Sequence, residues 1–273
     1  MPLNNRSIRI LVALIGIPLI ITLCLIGKIP FLVFVLVIGI VAFTEFAALS
    51  ANKDMIVNKY LGIPLIIFLI LNTYEKVVPY NILFLAIPSI LLIYELFRNK
   101  QSALMNIGAT FVGMFYIGLF SSALILIREF YSGDEMLYQQ GGLLIISMMF
   151  SIWACDSAAY FIGSAIGKHK MFPRVSPNKS WEGSVAGFIF AVGAFYIFKI
   201  LMLDFINLFD AIVLGIIVGT VGQLGDLIES LLKRDAAVKD SSALIPGHGG
   251  VFDRFDSLLL VAPIVYIYMS LFL

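Results

Sequence analysis

Two pairs of carboxylates, each spaced three residues apart, lie near the end of this chain. Asp226 and Glu229 belong to GQLGDLIESLLKR, and Asp253 and Asp256 to GVFDRFDS. On a helix an i, i+3 pair shares one face, and so does Glu229 with Lys233 at i, i+4. Two readings of the first pair stay open: a stabilising carboxylate–lysine ladder at a helix end, or a metal-binding face. Gly222 and Gly225 precede it, so another backbone or a ligand can approach closely there. A fifth acid, Asp156, sits in ACDSAAYFIG. Oxygen-only donors suit a hard cation, and Mg²⁺ ordinarily takes one or two carboxylates plus substrate phosphates. Asp226, Asp253 and Asp256 are expected to hold Mg²⁺, with a second cation as an open alternative. No histidine or cysteine cluster suggests zinc. Lys179, Lys233, Arg234, Lys239 and Arg254 offer charge-assisted bonds to phosphate oxygens. Carboxylates for a metal beside such a basic set are what phosphoryl or nucleotidyl transfer requires. The sequence has no G-x-x-x-x-G-K-[ST], which excludes a Walker-type nucleotide site.

Two polar stretches complete the constellation. In residues 233–251, Gly247, Gly249 and Gly250 flank His248 ahead of an expected helix start near Val251. Backbone N–H groups at such a start form a natural phosphate cradle, and His248 is placed to donate to it. In FPRVSPNKSWEG, Ser176-Pro177 reads as a turn. Ser180 reads as an N-cap with Glu182 in the first turn. That is either a capped helix start alone or a second phosphate-binding element through Ser176, Lys179, Ser180 and Glu182.

The elements that must carry these residues are hydrophobic. Of 273 residues 61% are apolar and 13% charged, with mean hydropathy +1.03. A soluble domain is nearer half apolar and a quarter charged, so the solvent for most of this surface is lipid. The net charge of +1 gives no basic field for nucleic acid. Cys24 and Cys155 fall inside apolar runs and read as small core residues.

About 20 apolar residues cross a bilayer as a helix. Nine runs approach that length, near 9–27, 30–50, 60–73, 80–97, 103–127, 142–166, 183–203, 208–232 and 252–273. The third is short. The first follows Arg6 and Arg9 but has no small-residue cleavage site, and so reads as an anchor. With nine spans and a cytoplasmic N-terminus, 14 of the 18 basic residues fall on the cytoplasmic side and 4 (Lys28, Lys76, Arg128 and Lys199) on the other. This matches the positive-inside rule and turns loops 167–182 and 233–251 toward the cytoplasm. The expectation is an all-α polytopic membrane protein. Residues 1–135 form a helical scaffold with lipid or dimer contacts, and residues 136–273 form a catalytic region. Glu45 and Glu95, in the first half, sit toward span ends, where a snorkelling or hydrogen-bonded role outweighs chemistry.

At this point the residues resemble a known signature. Ser230, Lys233-Arg234, Lys239-Asp240, Pro246, His248-Gly249-Gly250, Asp253-Arg254 and Asp256, at these spacings, resemble that of the phosphatidate cytidylyltransferases, the CDP-diacylglycerol synthases. SPNKSWEG at 176–183 and CDSAAYFIG at 155–163 are similar to two further family segments. The resemblance spans about residues 150–273. One difference is Asn178, where the family often has a second basic residue. The resemblance implies an integral membrane enzyme, homodimeric and dependent on divalent metal. Such an enzyme joins CTP to phosphatidic acid and gives CDP-diacylglycerol and pyrophosphate. It implies catalytic roles for Asp226, Lys233, Asp253 and Asp256. Substrate contacts are implied for Asp156, Ser176, Lys179, Ser180, Glu182, Arg234, Lys239, Asp240, His248, Gly249, Gly250 and Arg254. The compact chain favours a bacterial inner membrane with the site facing the cytoplasm. Two alternatives stand beside it. One is a related CTP-dependent kinase or transferase acting on another lipid. The other is an ion-coupled transporter, whose sites usually lie near the midplane between broken helices.

Overall fold

The computed structural model describes residues 5–273. The side chain of Arg6, one of the basic residues counted above, lies outside the described set. Almost everything described is helical: α1 (Asn5–Ile26), α2 (Lys28–Ala51), α3 (Lys59–Glu75), α4 (Tyr80–Arg98), α5 (Ala103–Gly113), α6 (Phe120–Arg128), α7 (Tyr138–Ile166), α8 (Trp181–Met202), α9 (Leu208–Asp235) and α10 (Phe252–Phe272). A π-helical segment, Met114–Leu119, joins α5 to α6 into one rod.

Among the described residues eight helices are long and apolar enough to cross a membrane, counting that rod as one. The third expected span is α3, which has 17 residues. At 1.5 Å per residue it is about 26 Å long, under the roughly 30 Å hydrocarbon core. The remaining eight expected runs coincide with the eight long helices. The polypeptide is thus an all-α polytopic membrane protein.

Side-chain capping sets four of the helix starts. Asn58, Ser102, Ser180 and Asn207 each cap the following helix by accepting a backbone N–H three residues on, as short polar side chains do. Pro18, Pro64, Pro88 and Pro263 lie inside helices, which neighbouring helices make tolerable in membrane proteins. α10, like α2, α4 and α7, starts without a capping side chain, here behind Val251.

The loop between α7 and α8 holds the one strand pairing among the described elements. β1 (Lys170–Phe172) and β2 (Ser176–Ser180) run antiparallel. The turn lies at 173–175, so Ser176-Pro177, expected to turn, begins a strand instead. Proline at an edge-strand start forfeits no ladder bond.

The second half packs as a unit: α7 lies along α8, α8 along α9, and α9 along α10. α10 also packs on α6 and α2, which ties the two halves together. Several polar contacts gather the basic loops at one end of the bundle. Arg9 Nε donates to the Gly247 carbonyl at 2.5 Å, Lys53 pairs with Asp235 at 3.4 Å, and Arg234 donates to the Val175 carbonyl at 3.4 Å. At the opposite end the fully buried Arg128 donates to the carbonyls of Cys24, Leu25 and Tyr138. Both cysteines are buried and free. Glu95 is buried and accepts from Arg98 and Asn106, the hydrogen-bonded role expected for it.

Candidate active site

Asp226 and Glu229 on α9 and Asp256 on α10 form one group, each offering a carboxylate oxygen within 4.8 Å of the others. Two helices can bring these acids so close because residue 225 is glycine. A Cβ there would stand 2.9 Å from the Asp256 carbonyl oxygen and 2.9 Å from Ser257 Cα, so any side chain would push α10 away. Gly222 is less constrained, since its Cβ would meet neighbours only at 3.7 Å and beyond.

The third member is Glu229, not the expected Asp253. Glu229 is buried, with its side chain 1% exposed. One of its oxygens takes Lys233 Nζ at 2.5 Å, and the other, Oε1, is buried with no hydrogen-bond partner. An orphaned carboxylate oxygen is costly in a low-dielectric interior, and a cation would satisfy it. Among the described residues Lys179 pairs with Asp226, and Lys233 with Glu229 and Asp253, while Asp256 has no ion-pair partner, so acids outnumber paired cations here. Asp226, Glu229 and Asp256 therefore fit the oxygen-donor set that Mg²⁺ takes. The ladder reading of Glu229 and Lys233 is also realised, as an i, i+4 pair inside this group.

Asp253 shares Lys233 with Glu229 but is held by other donors. It accepts from Lys233 Nζ at 2.8 Å, from Ser241 N at 3.0 Å and from Gly250 N at 2.7 Å. Its oxygens are taken up in closing the loop ahead of α10, which leaves it outside the metal-type group. The next two N–H groups, of Val251 and Phe252, donate to Glu45 of α2 at 3.1 and 2.7 Å. The start of α10 is thus already filled by two protein carboxylates. The expected phosphate cradle at this helix start is not open, for that reason. Gly250 is required by Glu45: its Cβ would lie 2.6 Å from Glu45 Oε2, and against Ser241 Oγ as well. Gly249 takes a left-handed φ of 82°, which supports glycine there.

A groove of about 510 Å³ adjoins the acids between α7, β2, α8 and α9. Asp156, Lys179, Ser180 and Asp226 line it, with Gln223 and Ser184. Lys179 makes an ion pair with Asp226, which pins β2 of the hairpin to α9. Ser180 caps α8, accepting from Gly183 N at 3.2 Å, while Gln223 and Ser184 bond each other across α8 and α9. The structure therefore brings Asp156, Lys179, Ser180, Asp226, Lys233 and Asp256 into one region.

The other expected residues are arranged differently. Glu182 accepts from the His169 backbone N–H and meets its ring Nδ1 at 2.7 Å. It lines a separate open surface with Lys168 and Trp181. Arg234 turns from the acids and donates to the Val175 and Val238 carbonyls, bracing the hairpin against the end of α9. Lys239, Asp240 and Arg254 are exposed, while Ser176 and His248 are half-buried. The nearest polar approach of the His248 ring is the Pro246 carbonyl at 3.5 Å.

Sequence reasoning underrated Glu229, Glu45 and Gln223. The i, i+3 spacing already flagged Glu229. Nothing local could have tied Glu45 to residues about 200 positions away.

The chain matches the family described as "Cytidylyltransferase family" over residues 7–272. It is 33% identical over 270 residues to the phosphatidate cytidylyltransferase of Bacillus subtilis (strain 168), covering 97% of each chain. To the phosphatidate cytidylyltransferase of Brucella suis biovar 1 (strain 1330) it is 32% identical, covering 99% of this chain and 95% of the relative. It is 44% identical over 139 residues to that of Haemophilus influenzae (strain ATCC 51907 / DSM 11121 / KW20 / Rd), half of this chain and 47% of the relative.

Proposed function

This chain belongs to the cytidylyltransferase family, and from that premise we propose how its residues carry cytidylyl transfer from CTP to phosphatidic acid. CDP-diacylglycerol and pyrophosphate are the products. The observation that carries the reading is the group of Asp226, Glu229 and Asp256 beside Lys179 at the edge of the groove. Nothing in the relatives' names supports a transporter or a different lipid acceptor.

Asp226, Glu229 and Asp256 would hold Mg²⁺, which neutralises charge on the CTP phosphates when bound. Lys179 is anchored at one end by β2 and lines the groove, so it is positioned to exchange Asp226 for a phosphate oxygen. Lys233 balances Glu229 and Asp253 and keeps the acids in register. Asp156 borders the groove and orients what enters it. Phosphatidic acid supplies its own nucleophile, a phosphate oxygen already ionised near neutral pH, so no strong general base is needed. That oxygen bonds to the α-phosphorus of CTP as the bond to pyrophosphate breaks, and the lysines steady the departing charge. Tyr160 of α7 lines the groove and is exposed, with exposed Phe161 next to it in sequence, an apolar flank along which acyl chains can remain in lipid.

With α3 counted as a short ninth crossing, the distribution of 14 basic residues against 4 supports a cytoplasmic N-terminus and site, and the bacterial relatives support an inner membrane. The family resemblance supports a homodimer. The test is pyrophosphate release by purified protein. It should require CTP and phosphatidic acid together, stop in excess EDTA and return with Mg²⁺. Full turnover in EDTA refutes the metal reading, and release without phosphatidic acid refutes the acceptor.

A further inference from the structure

We infer that Glu45, from the N-terminal half, is a positioning residue for the reaction. It sits on α2 and is 5% exposed. Four donors converge on its carboxylate: Ser242 Oγ at 2.5 Å, Phe252 N at 2.7 Å, Ser241 Oγ at 3.0 Å and Val251 N at 3.1 Å. Among the described residues no lysine, arginine or histidine forms an ion pair with it. Its stabilisation comes from neutral donors and from the positive end of the α10 dipole.

This arrangement does a specific task. α10 has no capping side chain of its own, yet its first turns carry Asp253 and Asp256. A helix end without partners for its N–H groups frays. Glu45 provides those partners from another helix, and through Ser241 and Ser242 it also ties down the loop that delivers Gly250 to Asp253. Ser241 is the shared member, since its hydroxyl donates to Glu45 and its backbone N–H to Asp253. Lys233 then bridges Asp253 to Glu229. A continuous chain of bonds therefore runs from α2 to the acid group on α9. Glu45 touches no substrate in this scheme; it sets where the acids stand.

The inference rests on the cytidylyl-transfer reading, and the experiment separates the two. Glu45→Gln is isosteric but swaps one acceptor for an NH₂ donor facing backbone N–H groups. In full-length protein in detergent, kcat/KM for CTP should fall about tenfold, as expected when a charge-assisted hydrogen bond is lost. The Mg²⁺ concentration for half-maximal rate should rise, because Asp256 shifts. Ser242→Ala removes one donor at a half-buried position and should shift both quantities in the same direction by about threefold, the effect of a single ordinary hydrogen bond. A thermal midpoint that falls while both quantities stay at wild-type values, in either variant, would show a purely structural role and overturn the inference. Wild-type protein lacking release dependent on CTP and phosphatidic acid would overturn the functional reading instead.

Discussion

Replacing Gly225 by alanine tests the geometry that joins the two acid-bearing helices. The added Cβ would lie 2.9 Å from the Asp256 carbonyl oxygen and Ser257 Cα. Ordinary contact begins at 3.4 Å, so α9 and α10 must separate by about 0.5 Å, because both obstructing atoms are backbone and cannot rotate away. Asp226 moves with one helix and Asp256 with the other. Metal–ligand distances tolerate about 0.2 Å, and a 1 Å misplacement in an active site can cost about a hundredfold. A 0.5 Å separation should therefore cost about tenfold in turnover and raise the Mg²⁺ requirement. Overpacking should also destabilise by about 1–3 kcal/mol, offset by roughly 1 kcal/mol from alanine's better helix propensity. Gly222→Ala is the control. It gains the same propensity on the same helix, but its Cβ meets neighbours only at 3.7 Å and beyond, so activity should stay near wild type. The assay is pyrophosphate release across a Mg²⁺ titration, normalised to folded protein by gel filtration in detergent. Equal behaviour of the two variants would refute the argument that Gly225 sets the spacing of the acids.

Lys233→Met removes the cation shared by Glu229 and Asp253, whose side chains are nearly inaccessible. Leaving such carboxylates unpaired should cost about 3–5 kcal/mol, read as a lower unfolding midpoint together with loss of turnover. Asp256→Asn and Asp253→Asn should separate by mechanism. The first should raise the Mg²⁺ requirement steeply. The second should lower the rate and the unfolding midpoint with little change in Mg²⁺ requirement, because Asp253 bonds Lys233, Ser241 and Gly250. Identical Mg²⁺ titrations for the two would return Asp253 to the ligand set.

The membrane architecture could be read from sequence because its cause is local. Twenty apolar residues in a row must leave water wherever they occur, and eight such runs reappear as long helices. Even α3 showed as the short one. The N-cap Ser180 is likewise a property of a residue and its immediate neighbours, as is the pairing of Glu229 with Lys233 one turn on, whereas the close approach at Gly225 needs α10 beside it. Which acid joins which group is not local. Asp253 and Asp256 share a helix and a spacing, yet one closes the loop and the other joins the acids of α9. The difference lies in what each finds across the bundle: Ser241, Gly250 and Lys233 for the first, Asp226 and Glu229 for the second. Glu45 makes the same point. In sequence it is one acid in an apolar run, and the N–H groups it satisfies belong to a helix about 200 residues later. Hydrogen bonds between distant segments depend on helix packing, and only the folded chain decided that the signature's helix start would be closed by carboxylates rather than left open for a phosphate.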